Sequence, residues 1–407
     1  MDSPSTAPTA PRRPGTAGEV FRVFLRLGLT SFGGPVAHLG YFRDAFVVRR
    51  RWLTERAYAD LVALCQFLPG PASSQVGMAL GLQRAGFLGM LAAWCTFTLP
   101  SAILMTGFAF AVSALGDVSG AGWIQGLKAA AVAVVAQAVL GMARQLAPDR
   151  QRAAIAAAGM IAALLLPSSV AQIAIIAATG LIGLAWLRAP HVGEDGDGHL
   201  FAFRIPRGIA VVCLAAYGVL LVGLPLLVAA TRSGTLHLFG IFYRTGALVF
   251  GGGHVVLPLL QAQTVRTGLV GHDDFLAGYG AAQAMPGPLF TFSAYLGAIG
   301  HAAPNGIPGA AVALVGIFLP GALLLVGTLP FWQQLRHADL ARRALMGVNA
   351  GVVGILAAAL YNPVFTEGIS SVTALGLAVA AFIALTQWAV PPWAVVLGAG
   401  ALGFVLL

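Results

Sequence analysis

One hexapeptide pattern occurs twice in the chain, and no pattern in it is less compatible with an unbroken apolar helix. Gln66-Phe67-Leu68-Pro69-Gly70-Pro71 returns as Gln283-Ala284-Met285-Pro286-Gly287-Pro288, about 217 positions later. Each copy interrupts an apolar run long enough to enter a bilayer. Proline removes a backbone donor and clashes with the preceding turn, while glycine permits bent or left-handed backbone. In hydrocarbon such a break strands polar backbone groups unless protein or a water-filled cavity surrounds it. Two broken segments at matching places in two halves of one chain point to the substrate site of a carrier built from repeats.

Composition fixes the solvent. Apolar residues make up 58% of the 407 and charged residues 9%, against roughly 25% charged in a soluble domain. The mean hydropathy is +0.85. The chain is therefore expected to be an all-α polytopic membrane protein, because helices satisfy their own backbone in lipid. Residues 1–18 read as a flexible cytoplasmic tail, and no cleaved signal pattern is present. The net charge of +9 comes from arginine, with Lys128 as the sole lysine. On a membrane protein such an excess marks cytoplasmic loops, not nucleic-acid binding. Cys65, Cys95 and Cys213 are scattered in apolar runs, with no metal or disulfide spacing.

Apolar segments fall near 20–46, 58–83, 87–115, 123–146, 152–166, 169–187, 208–231, 236–262, 273–299, 308–331, 344–362, 370–389 and 391–407. Arg12 and Arg13 precede the first segment, and Arg43, Arg49, Arg50, Arg51 and Arg56 follow it. The positive-inside rule then favours a segment that enters and returns, bending at Gly33-Gly34-Pro35. Segment 58–83 does the same at Pro69-Gly70-Pro71. Arg144, Arg150, Arg152 and the linker 188–207 then lie inside, span 208–231 runs outward, and 236–262 and 273–299 re-enter from outside. Span 308–331 returns to the inner loop with Arg336, Arg342 and Arg343, and the loop at 363–368 is outside again.

The repeat extends past Pro-Gly-Pro. Phe24-Leu25-Arg26-Leu27-Gly28 matches Phe242-Tyr243-Arg244-Thr245-Gly246, and Phe32-Gly33-Gly34 matches Phe250-Gly251-Gly252. Phe97-Thr98-Leu99-Pro100-Ser101-Ala102 resembles Phe318-Leu319-Pro320-Gly321-Ala322, and Gly126-Leu127-Lys128 faces Gly347-Val348-Asn349. The expected organisation is a first repeat at 19–187, a linker at 188–207, a connecting helix at 208–231 and a second repeat at 236–407. One extra span between two equal units makes them inverted-topology repeats with broken, re-entrant helices.

Charge at membrane depth is costly, so its sign is informative. Arg22, Arg26, Arg244 and Lys128 lie in or beside membrane segments, whereas Asp117, Asp273 and Asp274 fall in loops and Asp60 sits near an entry point. The buried charge is positive and has no partner evident in the sequence, which favours an anionic substrate. Arg26 and Arg244 are the candidate oxyanion ligands, since guanidinium offers a planar donor fork and does not deprotonate. Lys128 is a third candidate, with Asn349 as its counterpart. Half-helices starting after Gly33, Gly34 and Pro35, and after Pro69, Gly70 and Pro71, would aim unpaired N–H groups at the breaks. Pro35 and Pro71 suit the first helical position. Gly251, Gly252, Pro286, Gly287 and Pro288 form the second set. Ser73, Ser74, Thr291 and Ser293 follow closely, and Gln66 and Gln283 either line the site or stitch the backbone. His38 and His254 make no metal set, and the linker from His191 to His199 reads as solvated.

These motifs together resemble the chromate ion transporter family of bacteria and archaea, in its long, two-domain form. The resemblance rests on Phe24–Gly28, Ser31-Phe32-Gly33-Gly34-Pro35 and Gln66–Pro71, with Phe250–Gly253 and Ala284–Pro288 in the second half. Gly253 stands where the first half has Pro35, a departure that loosens the second bend. The resemblance implies chromate export from the cytoplasm across a bacterial inner membrane, with a cytoplasmic N-terminus, driven by membrane potential or proton gradient. Sulfate, an isosteric dianion, is the expected competitor or exchange partner, and a homodimer is left open. No cofactor, metal or enzymatic activity is expected. Alternative readings are a transporter of sulfate or another oxyanion, and an anion channel lined by the same breaks. A reductase lacks a flavin, haem or paired-thiol site, and no ATP-binding loop is present.

Overall fold

The computed structural model describes residues 15–115, 121–166, 168–188, 205–250, 256–336 and 338–407. Among them the ordered elements are helices, with no strand. The first half comprises α1 (Ala17–Thr30), α2 (Gly34–Phe42), α3 (Glu55–Phe67), α4 (Ala72–Leu115), α5 (Gly122–Leu146), α6 (Arg150–Leu165) and α7 (Ser169–Trp186). A connecting helix, α8 (Arg207–Thr231), follows. The second half comprises α9 (Gly234–Leu248), α10 (Val256–Thr264), α11 (His272–Ala284), α12 (Phe292–Ile299), α13 (Gly306–Thr328), α14 (Trp332–Arg336), α15 (Asp339–Ala359), α16 (Thr366–Gly368), α17 (Val372–Thr386) and α18 (Pro392–Leu406).

Local chemistry sets many of these boundaries. Thr16 caps α1 by accepting from Glu19 N at 3.1 Å, and Thr54, Asp149, Ser168, Ser233 and Ser371 cap α3, α6, α7, α9 and α17 in the same way. Each such side chain satisfies one of the donors that a helix start leaves unpaired. The expected breaks in 20–46 and 58–83 are present between α1 and α2 and between α3 and α4. Helix α4 is itself divided at Ala85 and Gly86, where the backbone leaves helical geometry. Pro71 differs from expectation: it precedes α4 by one residue, and its carbonyl accepts Gln75 N at 2.9 Å to start the helix. Most of the linker, 189–204, and the glycines and histidine at 251–255 lie outside the described residues.

Among the described residues, five stretches are long and apolar enough to cross a bilayer: Ala72–Leu115, Gly122–Leu146, Arg207–Thr231, Gly306–Phe331 and Asp339–Gly368. At 1.5 Å per residue the 25-residue α8 reaches about 37 Å, against a hydrocarbon core of about 30 Å. Val212, Val219, Val222 and Leu226 stand exposed on it, as do Leu88, Leu91 and Ile103 on α4. Apolar surface on this scale calls for lipid.

Where helices meet, they do so through residues without bulk. A Cβ on Gly28 of α1 would fall 2.5 Å from Thr96 O on α4, and one on Gly246 of α9 would fall 2.1 Å from Ile317 O on α13. Gly126 of α5 lies against Ala399 of α18, and Gly347 of α15 lies against Thr179 and Gly183 of α7. In lipid, where apolar area gives little drive for association, such close backbone approach supplies the dispersion energy. Thus α5 of the first half packs on the last helix of the second, and α15 packs on the last helix of the first.

Candidate functional site

The two Pro-Gly-Pro turns sit deep between the halves, and each is bonded to the opposite half. Gly70 N–H donates to Val249 O at 2.7 Å, and Gly287 N–H donates to Ser31 O at 2.8 Å. Ser31 and Val249 are the residues that terminate α1 and α9. Gly70 and Gly287 have φ of +118° and +93°, a region that favours glycine. A Cβ would meet Gly321 Cα at 3.2 Å from Gly70, and Phe97 O at 3.1 Å from Gly287. The amides expected to face an anion at these two glycines are therefore spent on closing the partner half's break. Gly33 and Gly34, at φ of +98° and +75°, turn the chain into α2, with Pro35 in its first turn. Pro69, Pro71, Pro286 and Pro288 are buried beside these turns.

Polar side chains stitch this centre together, and two of them escaped sequence reasoning. Gln75 is fully buried and donates from Nε2 to Pro69 O and to Gly321 O, each at 3.1 Å. His38, also fully buried, lies 3.2 Å from Ser31 O and 3.4 Å from Ser73 Oγ. The signal for both was available: a polar side chain about one turn past a break can reach the carbonyls that the break frees. On the other side Ser101 Oγ and Thr291 Oγ1 are 2.7 Å apart. Ser74 Oγ, Thr98 Oγ1, Ser293 Oγ and Gln283 Nε2 are buried with no hydrogen-bond partner among the described residues. Unpaired buried polar atoms are costly, and Ser74, Gln283 and Ser293 lie within a few residues of the turns in sequence.

A cavity of about 480 Å³ reaches the first turn from one end of the molecule. Its lining includes Pro35, Gln66, Gly70, Gln145, Arg342 and Asn349, and the carboxylate Asp60 of α3. It therefore gathers Pro35, Gln66 and Gly70, three of the expected site residues, with Asn349, the counterpart of Lys128. Arg342 is the guanidinium it presents; Arg342 Nη1 also lies 3.5 Å from Asp339 Oδ1. Sequence reasoning had placed Arg342 in an inner loop, whereas it stands in the first turn of α15. The expected Arg26–Arg244 pair does not line this cavity. Arg26 is exposed on α1 and Arg244 half-buried on α9. Gly251 and Gly252 lie outside the described residues.

Lys128 corrects a premise. It was read as a buried cation without a partner, yet Nζ lies 2.5 Å from Asp273 Oδ1, with the lysine side chain only 3% exposed. Asp273 and Asp274, expected in a loop, occupy the first turn of α11. The separation of 145 residues is what hid the pair. Next to it His272 Nε2 lies 3.2 Å from Glu367 Oε2. By the repeat offsets Lys128 corresponds to Asn349, Gln283 to Gln66, Gly287 to Gly70 and Glu367 to Leu146. The same positions that line an open cavity at one end are packed at the other: Gln66 is exposed and Gln283 buried, Asn349 half-buried and Lys128 buried.

The profile of one family, described as "Chromate transporter", matches the chain twice, over residues 18–184 and 236–404. A chromate transport protein of Pseudomonas aeruginosa is 29% identical over 360 residues, covering 84% of this chain and 79% of its own. One of Cupriavidus metallidurans is 26% identical over 361 residues, covering 87% and 83%. A transporter of Methanocaldococcus jannaschii is 24% identical over 349 residues, covering 84% and 83%. No solved structure matches the chain significantly.

Proposed function

This chain belongs to the chromate transporter family, a family of membrane transporters and not of enzymes, and from that premise we propose that it exports chromate from the cytoplasm by alternating access. The carrying observation is the inequality of its two ends. Equivalent residues of the two halves form an open cavity with Gln66, Gly70 and Asn349 at one end, and a packed end with Gln283 and the Lys128–Asp273 pair at the other. Exchanged bonds between Gly70 and Val249 and between Gly287 and Ser31 are the self-complementary contacts of a two-fold arrangement. With one connecting span between the halves, that two-fold lies in the membrane plane and the repeats are inverted.

The arginines support a cytoplasmic location for the open end. Arg342 lines it, and the ion pairs Arg43–Glu55, Arg49–Asp44 and Arg84–Glu19 belong to segments that the positive-inside rule keeps there. A tetrahedral dianion entering the cavity meets the Arg342 fork and the amides of Gln66, Gln145 and Asn349. Charge-assisted bonds of this kind are short and roughly twice as strong as neutral ones. Arg26 and Arg244 are proposed to face the anion only outside this inward-open conformation. An inside-negative potential favours the outward step by ~2.3 kcal/mol per charge per 100 mV.

The test is chromate uptake into everted membrane vesicles. Saturable uptake, accelerated by a lumen-positive potential and by counter-flow of lumenal chromate, is expected, with sulfate competing. Uptake that rises linearly with concentration and ignores counter-flow would make the breaks a channel. Sulfate uptake without chromate uptake would transfer the site to the other dianion.

A further inference from the structure

Beside the open end, a second cavity of about 840 Å³ lies between α6, α7 and α15. Three arginines line it from three elements: Arg152 in the first turn of α6, Arg188 just past α7, and Arg343 near the start of α15. Two carboxylates, Asp149 and Asp339, line it as well, and each is already engaged. Asp149 caps α6 and accepts from Arg152 Nε at 2.6 Å, while Asp339 Oδ1 lies 3.5 Å from Arg342 Nη1. Arg188 and Arg343 make no ion pair among the described residues, so their charges stay uncompensated. Arg343 is held in place, because its Nη2 donates to Leu184 O in the last turn of α7. Its Nε is buried and has no partner among the described residues. A buried donor left unpaired is costly, and an oxyanion in the cavity is the kind of group that satisfies it.

Helix packing does not call for an arginine here. A Cβ on Gly183 of α7 would fall 2.5 Å from Arg343 O. At the equivalent crossing in the other half, a Cβ on Gly403 of α18 would fall 2.4 Å from Gly122 O of α5. The offset that pairs Gly347 with Gly126 pairs Arg343 with Gly122, so glycine makes the same close crossing. The surroundings of the cavity point to the source of its ligand. Trp186, the last residue of α7, lines it and is half exposed, and Leu181 and Ile182 stand exposed one turn back on the same helix. Tryptophan at the end of an apolar helix marks the headgroup level of a bilayer. Basic pockets between helices at that level take anionic headgroups.

We propose that Arg188 and Arg343 form a binding site for a phosphate group, supplied by an anionic phospholipid of the adjacent leaflet. The planar guanidinium fork matches two oxygens of one phosphate, and the acyl chains then run along α7 past Ile182 and Leu181. The site is separate from the transport cavity: Arg342 lines that cavity and its neighbour Arg343 lines this one. It does not depend on chromate being the transported anion.

The experiment uses the full chain, delipidated in an uncharged detergent. It is titrated with phosphatidylglycerol and with phosphatidylcholine, bound lipid being counted by native mass spectrometry, and with radiolabelled inorganic phosphate by equilibrium dialysis. Phosphatidylglycerol is expected to bind more tightly than phosphatidylcholine. Arg188→Gln and Arg343→Gln should each weaken it about fivefold, the worth of one basic side chain at an anionic surface. Arg150→Gln, an exposed neighbour outside the lining, should leave it within about twofold. Arg188 is exposed and makes no bond among the described residues, so its variant tests the site without disturbing the fold. Inorganic phosphate held through the two arginines, with phosphatidylglycerol no better than phosphatidylcholine, would keep the phosphate site and replace the lipid by a free anion. If neither ligand depends on Arg188 and Arg343, or if Arg150→Gln weakens binding as much as they do, the cavity is not a phosphate site.

Discussion

Replacing Gln75 with methionine keeps the length of the side chain and removes its two hydrogen bonds, so it isolates the link between the halves. Pro69 O lies in a non-helical turn and loses its donor from Gln75 Nε2. A buried acceptor left unpaired costs about 1–3 kcal/mol. Gly321 lies within α13, where its carbonyl keeps the helical bond from four residues on, so the second loss is nearer the net worth of one bond, about 1 kcal/mol. Gln75 Oε1 has no partner, and its removal returns about 1 kcal/mol. The balance is a destabilisation of about 1–3 kcal/mol. Purified protein in mixed micelles, titrated with denaturing detergent and followed by tryptophan fluorescence, reads this directly. Gln66→Met is the comparison: Gln66 is exposed in the cavity, and its stability should stay within about 0.5 kcal/mol of wild type. If Gln75→Met also falls within that margin, the bonds through Gln75 do not hold the halves together.

Other substitutions probe packing and charge. Gly126→Ala places a Cβ 2.1 Å from Ala399 O and should cost about 1–3 kcal/mol by forcing α5 from α18. Gly141→Ala, with nothing within 4 Å, should stabilise α5 by about 0.5–1 kcal/mol; thermal melts of the two variants should move in opposite directions. Asp273→Asn leaves the buried Lys128 charge unpaired and should cost about 3–5 kcal/mol. Lys128→Gln should cost clearly less, because Asp273 is 45% exposed and keeps its water; equal losses in a detergent titration would contradict the asymmetry. Arg342→Gln should raise the half-saturating chromate concentration in everted vesicles at least about tenfold, from the loss of one charge-assisted bond. Arg26→Gln should leave it within about twofold while the carrier faces inward.

Much of the architecture was readable because lipid imposes a local rule. A backbone in hydrocarbon must satisfy itself within its own helix, so Pro69-Gly70-Pro71, Gly33-Gly34-Pro35 and Pro286-Gly287-Pro288 mark breaks wherever they fall. The helix ends beside Phe67 and Ala284 follow from the residues themselves. The site was less legible. Gln66, Gly70 and Pro35 do line the cavity, but Arg342 was masked by the surrounding basic loop, and Lys128 showed no partner within reach in sequence.

The sequence by itself determined that the chain is helical and at home in lipid, because those properties rest on composition and on steric rules spanning a few residues. Only the tertiary structure decided that Gly70 bonds to Val249 and Gly287 to Ser31, that Gln75 reaches Gly321, and that Lys128 meets Asp273 and His272 lies beside Glu367. These contacts join residues from 95 to 256 positions apart. Most of them join chemically ordinary partners, many of them bare carbonyls that every residue possesses. No local pattern distinguishes one carbonyl from another; only the folded position does.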